Sequence, residues 1–136
     1  MAQLAIVGFY LSINALVLIW LSAKVIGVRR GNQISIGDGN NKTLAHYIRG
    51  QGNAAEYMPM FFIMLGIAAL INTPPVALHA LGVTFTIGRI LHASWFVKPS
   101  PKMSKRVSGM VLTFLSMGIL ALGLFAHAIV IMAQGY

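Results

Sequence analysis

Apolar residues fall into four long runs along the chain, separated by short polar segments. Each run holds the roughly 20 residues that an α-helix needs to cross about 30 Å of hydrocarbon. The segments between the runs are rich in Gly, Asn or Pro, which mark loops and helix ends. The pattern predicts a single domain over 1–136, an all-α integral membrane protein folded as an antiparallel bundle of four transmembrane helices. The predicted spans cover about 4–28, 43–71, 75–96 and 104–133.

The composition agrees with a membrane protein and excludes several other classes. Hydrophobic residues make up 57% of the chain and charged residues 9%, whereas soluble domains keep about 25% of their residues charged. The first run carries no charge before Lys24 and its apolar stretch is longer than that of a signal peptide, so we expect a retained span. There are no cysteines, and the histidines lack metal-ligand spacing, so we expect no disulfide and no metal.

The basic residues cluster at the first and third loops. The formal net charge is +8, and loops with such an excess of Lys and Arg remain on the cytoplasmic side of a bacterial-type inner membrane. We therefore expect loops 1 and 3 in the cytoplasm and both termini on the opposite side. This distribution explains the positive charge without a nucleic-acid partner. The clustered residues are Lys24, Arg29, Arg30, Lys42 and Arg49, and then Lys98, Lys102, Lys105 and Arg106.

The second run begins with a stripe of polar residues, although it enters the membrane. Arg49, Asn53 and Glu56 are spaced i, i+4 and i+7, which places them within a sector of about 60° on a helix. Gln51 points elsewhere, and Tyr57 lies at the edge of the sector. A charge inside a bilayer is unfavourable by a few kcal/mol or more, so the stripe must face protein, water or a ligand.

Two interpretations of the stripe remain open at this point. In the first, Arg49 and Glu56 form an ion pair with each other, or ion pairs to another helix, that only fix packing, although buried ion pairs often add little stability. In the second, the stripe binds a small zwitterion: arginine matches a carboxylate, Asn53 donates and accepts, and the glutamate binds an ammonium group. Pro59 leaves the carbonyl of Ala55 without its helical partner, and a kink there is expected to open a pocket beside Glu56.

The same stretch resembles a known family. Residues 49–59 read R-x-Q-x-N-x-x-E-Y-x-P, which is similar to the second-helix motif of the membrane-associated proteins in eicosanoid and glutathione metabolism (MAPEG). That family includes microsomal glutathione transferases and the five-lipoxygenase-activating protein. The resemblance extends to V-I-G-V-R-R in the first run and A-L-G-L-F-A-H in the fourth, and so over the whole chain. It implies a homotrimer of four-helix subunits, with glutathione bound between neighbours and open to the cytoplasm.

The resemblance also implies roles for individual residues. Arg106, which opens the fourth run, corresponds to the catalytic arginine, with Lys102 and Lys105 as alternatives because the spacing does not fix the position. Phe96 stands where some members have a tyrosine, so the specific activities of animal synthases do not carry over. The implied glutathione-binding residues are Arg49, Asn53, Glu56 and Tyr57, supported by Gln51, with Arg29 or Arg30 on the first helix and Arg89 and His92 on the third.

Less specific readings of these residues also stand. In a purely structural role, Arg89 is a snorkelling or ion-paired residue. His92 in such a role is a partner in an interhelical hydrogen bond. In the corresponding structural role, the basic residues at the start of the fourth run, Arg106 included, are ordinary positively charged anchors on the cytoplasmic side of the membrane.

The expected activity is that of a membrane-bound glutathione transferase or peroxidase. A cation beside the glutathione sulfur favours the thiolate, which is the nucleophile. Its partner is expected to be an apolar electrophile or a lipid hydroperoxide that arrives from the membrane lipid. One alternative is a non-catalytic lipid-binding or scaffold member of the family. Another is a small proton-coupled transporter, but an arginine two turns from Glu56 disfavours a cation site there.

Overall fold

The chain folds into four long helices in the computed structural model, which describes residues 1–98 and 103–135. All four helices are long and apolar enough to cross a membrane, and the described ranges contain no strand. The predicted all-α, four-span fold class is therefore confirmed. The helices are α1 (Ala2–Gly31), α2 (Lys42–Leu70), α3 (Pro75–Val97) and α4 (Ser104–Ala133).

Local sequence signals set where α2 and α3 begin. The side chain of Asn41 accepts a hydrogen bond of 3.0 Å from the backbone N–H of Leu44, which satisfies one free donor at the start of α2. Pro75 occupies the first turn of α3, where its missing N–H has no helical partner to lose. Asn72 adopts a φ of 60° in the turn between the two helices. The short turn between Leu70 and Pro75 makes α2 and α3 antiparallel neighbours.

The first three helices pack against one another, whereas α4 lies mainly on α3. Among the described residues, α4 makes a smaller contact with α2 and none with α1. In the core, the rings of Phe61 and Phe85 stack with centroids 3.8 Å apart. Only one stripe of α4 is buried, formed by Gly109, Thr113, Ser116 and Leu120. Most of the other α4 residues are exposed, although Met117 and Leu124 also pack against the core.

A glycine pair brings α3 and α4 together near the basic loops. A Cβ added to Gly109 would lie 2.7 Å from the carbonyl oxygen of Gly88 and 2.7 Å from the backbone nitrogen of His92. The two backbones therefore touch, and only glycine fits at this crossing. The crossing places the first turn of α4 against the last turns of α3, which positions Arg106 for the site described next.

Candidate functional site

The polar stripe of α2 does not neutralise itself within one chain. Arg49 and Glu56 are both exposed, and neither forms a hydrogen bond or an ion pair with any described residue. An internal Arg49–Glu56 pair is thus absent from the part of the chain that the structure describes. The two charges lie about 10 Å apart along the helix axis. They remain available to a group outside the single chain.

Asn53 turns from the stripe towards α3, where Arg89 holds it. Arg89 Nη2 donates to Asn53 Oδ1 at 3.0 Å and to His92 Nδ1 at 2.8 Å. Because a guanidinium has donors only, His92 accepts through Nδ1 and carries its proton on Nε2. The Arg89 guanidinium also lies over the ring of Tyr57, 5.9 Å from its centroid. We call Asn53, Tyr57, Arg89 and His92 the Arg89 cluster.

Arg89 lies inside the bundle and is not balanced by a carboxylate. Its exposed fraction is 0%, and neither Nε nor Nη1 has a hydrogen-bond partner among the described residues. The whole chain has two acidic residues, of which Asp38 and Glu56 are both exposed. Snorkelling and ion pairing of Arg89 are therefore not observed. His92 is 2% exposed, and the hydrogen bond observed for its Nδ1 is within α3, whereas an interhelical bond was the less specific reading.

Arg106 rests on two aromatic rings at the end of α3. Its guanidinium lies 5.3 Å from the centroid of a Trp95 ring and 5.6 Å from that of Phe96. We call Trp95 and Phe96 the aromatic shelf. The shelf is held against α2, because a Cβ added to Gly50 would come within 2.7 Å of Phe96 Cβ. Phe96 also packs on His92, with ring centroids 5.0 Å apart, so the shelf joins Arg106 to the Arg89 cluster.

The other candidate residues lie apart from this cluster in the single chain. Arg29 Nη1 donates to the backbone oxygen of Ser35 at 3.3 Å, and Gln51 is half-buried on α2. Arg30 and Lys105 are exposed, and Lys102 lies outside the described residues. No hydrogen bond, ion pair or ring contact between described residues joins the following to the Arg89 cluster: Arg29, Arg30, Arg49, Gln51 and Glu56.

The shelf residue Trp95 was missed by sequence reasoning. The available signal was two adjacent aromatic residues at the end of one span, followed by a basic start of the next. An arginine near such rings often stacks on their faces. The pairing itself depends on the crossing of α3 and α4, which no local pattern reveals.

Three cavities lined by described residues do not include Arg49 or Glu56 in their walls. One of about 410 Å³ is lined by Thr73, Leu120 and His127, among others, at the turn between α2 and α3. Another of about 270 Å³ lies between α1 and α2 beside Pro59. In the described ranges, no group of three or more His, Cys, Asp or Glu side chains is placed to hold a metal ion.

The cavity that includes Pro59 is not lined by Glu56, whereas the sequence predicted a pocket beside Glu56. Helix α2 continues through Pro59 without interruption, and the neighbouring cavity is lined by Leu11 and Asn14 of α1. Three residues turn a helix by about 300°, so Pro59 points about 60° away from Glu56. The proline therefore opens space towards α1. A ligand that contacts both Arg49 and Glu56 must lie on the outer surface of the single chain.

Comparison with known proteins agrees with this architecture. The sequence profile of the MAPEG family matches residues 7–126. Inner membrane protein YecN of Escherichia coli strain K12 is 28% identical over 85 residues, which is 62% of this chain and 65% of that protein. YecN of Escherichia coli O6:H1 strain CFT073 shows the same values. The chain thus covers just under two thirds of the length of these relatives. Because the family profile spans most of all four helices, this integral membrane protein belongs to the MAPEG family.

Proposed function

We propose that the protein is a membrane-bound glutathione transferase or peroxidase that acts on apolar electrophiles. The observation that carries the proposal is the pair of exposed, opposite and unpartnered charges of Arg49 and Glu56 on one face of a membrane-spanning helix. Such charges are unfavourable in lipid, by a few kcal/mol or more, unless another group covers them. A polar ligand held between subunits satisfies both.

Glutathione has the chemistry that this face requires. It carries two carboxylates and one ammonium group, so Arg49 binds a carboxylate through its planar fork of donors and Glu56 binds the ammonium group. Asn53 donates between them. The separation of about 10 Å between Arg49 and Glu56 along α2 matches the length of an extended tripeptide, also about 10 Å. Tyr57, one position beyond Glu56, closes the inner end of the site.

A homotrimer completes the site in this proposal. The exposed surfaces of α2 and α4 supply the area for contact with neighbouring copies, and a first-helix arginine of the adjacent subunit, Arg29 or Arg30 by type, reaches a ligand carboxylate. Gln51 supports the contact. These groups are apart in one chain, which is expected if the site is completed only by assembly.

Arg106 is the group that stabilises the thiolate. A free thiol has a pKa of about 8.5, and each unit by which a cation lowers it corresponds to about 1.4 kcal/mol. The sulfur then attacks the electrophilic carbon and a C–S bond forms as the leaving group departs. With a lipid hydroperoxide, the sulfur attacks the terminal oxygen, the O–O bond breaks, and a second glutathione gives the disulfide, an alcohol and water. The substrate enters from the lipid along the exposed face of α4.

The location follows from the same proposal. A bacterial inner membrane agrees with the name of the relative, inner membrane protein YecN. The loops rich in Lys and Arg lie in the cytoplasm, where glutathione is abundant. Both termini lie on the opposite side, and glutathione enters at the end of the bundle that carries Arg49 and Arg106.

A binding and turnover experiment in detergent tests the proposal. Calorimetric titration with glutathione is expected to show saturable binding, and chlorodinitrobenzene or cumene hydroperoxide is expected to be consumed only when glutathione is present. Glutathione binding without turnover of either substrate overturns the proposed enzymatic activity. The protein is then a non-catalytic ligand-binding member of the family. Absence of glutathione binding overturns the whole proposed function.

A further inference from the structure

Arg89 contacts three of the predicted ligand-binding side chains, Asn53, Tyr57 and His92, but is itself out of reach of a ligand. It is 0% exposed, whereas Asn53, to which it donates, is half-buried at the surface of α2. Its guanidinium also faces the ring of Tyr57. A ligand on the outer face of α2 therefore meets Asn53 and Tyr57, and not the arginine behind them.

The hydrogen bond between Arg89 and Asn53 fixes which way the amide points. A guanidinium donates and never accepts, so the amide must turn its oxygen inwards. Asn53 Nδ2 then points away from Arg89, and it is not among the buried polar atoms that lack a partner. Because no described residue accepts a hydrogen bond from Nδ2 either, this atom is not buried, and the outward group of Asn53 is an accessible N–H₂ donor.

We propose that Arg89 is a positioning residue that makes Asn53 a donor-only contact, so that the ligand must present a carbonyl or carboxylate oxygen to it. This inference rests on the proposed function, in which glutathione lies along α2. Without Arg89 the amide is free to rotate, and half of its orientations present oxygen to an oxygen of the ligand. Arg89 thereby selects a ligand with an acceptor between its carboxylate, at Arg49, and its ammonium group, at Glu56.

Stability alone does not account for an arginine at this position. Nε and Nη1 have no partner among the described residues, and buried donors without partners are costly. Nη2, by contrast, is fully used, with one hydrogen to Asn53 and one to His92. The bonds that Arg89 does make are the ones that orient two side chains of the candidate site.

A double-mutant cycle on glutathione affinity, measured by calorimetry in detergent, tests the inference. Asn53→Ala is expected to raise Kd about tenfold, the value of roughly one hydrogen bond. Arg89→Gln is expected to raise Kd severalfold in the wild-type background and to have no further effect in the Asn53→Ala background. Arg89→Lys, which retains a donor and the charge, is expected to preserve most of the affinity. The matched control is Lys24→Gln, because Lys24 is an exposed basic residue of α1.

Additive effects of Arg89→Gln and Asn53→Ala overturn the inference, because they show that Arg89 does not act through Asn53. Asn53→Asp provides a test that retains the buried arginine: the carboxylate pairs with Arg89 but has no outward donor, so glutathione binding is expected to fall at least as far as in Asn53→Ala. Wild-type affinity in Asn53→Asp refutes a donor role. If the wild-type protein binds no glutathione, the proposed function itself fails, which is distinct from an additive cycle in a protein that binds.

Discussion

Replacement of Arg49 by alanine separates a ligand-binding role from a structural one. Arg49 is exposed and forms no hydrogen bond or ion pair with the described residues, so its removal takes no polar contact away from the described part of the chain. Its proposed carboxylate contact is a charge-assisted hydrogen bond worth about 1.5–3 kcal/mol, which corresponds to a rise in the Kd of glutathione of roughly 10- to 150-fold. The thermal midpoint of unfolding in detergent is expected to change by less than about 2 °C.

The assay pairs a calorimetric titration with a thermal melt of the same preparation. Lys24→Ala is the matched control, since Lys24 is a second exposed basic residue near the same end of the bundle. We expect Lys24→Ala to leave both quantities unchanged. If Arg49→Ala lowers the thermal midpoint by several degrees and leaves glutathione affinity unaltered, Arg49 braces an assembly of chains and the ligand-binding reasoning is refuted.

The remaining predictions concern catalysis, the aromatic shelf and the helix crossing. Arg106→Ala is expected to lower kcat at neutral pH by about tenfold or more, move the pH–rate profile towards alkaline pH and spare glutathione affinity; unchanged kcat contradicts a role at the thiolate. Phe96→Leu removes a cation–π contact worth about 0.5–2 kcal/mol, so kcat should fall severalfold and recover in Phe96→Tyr, as stopped-flow measurements would show. Gly109→Val places carbon within 2.7 Å of backbone atoms of α3 and should destabilise the bundle by about 1–3 kcal/mol in denaturant titrations.

The fold was predictable because its signals are local. Each apolar run predicts one membrane span, and Gly, Asn and Pro mark the turns between spans. Asn41 and Pro75 sit at helix starts as their types favour. The basic residues of the first and third loops then distinguish one end of the bundle from the other. The orientation of the bundle in the membrane stays a prediction.

The arrangement within the candidate site was less predictable because it depends on how each helix is rotated. The pattern grouped Arg49, Asn53 and Glu56 on one face, yet Asn53 turns to Arg89 while the two charged residues stay outside. The sequence places the three residues within a sector of about 60° on α2. It does not show which edge of that sector faces α3. That Arg106 rests on the aromatic shelf follows from a backbone crossing between α3 and α4, which involves residues far apart in the sequence.

The decisive measurement of ligand binding between subunits is a structure of the assembled protein with glutathione added. We expect glutathione between neighbouring chains, with one carboxylate on Arg49, the ammonium group on Glu56 and a ligand oxygen facing the Asn53 amide nitrogen. Arg49 paired with Glu56 of an adjacent chain, with no glutathione on this face at saturating concentration, would contradict it.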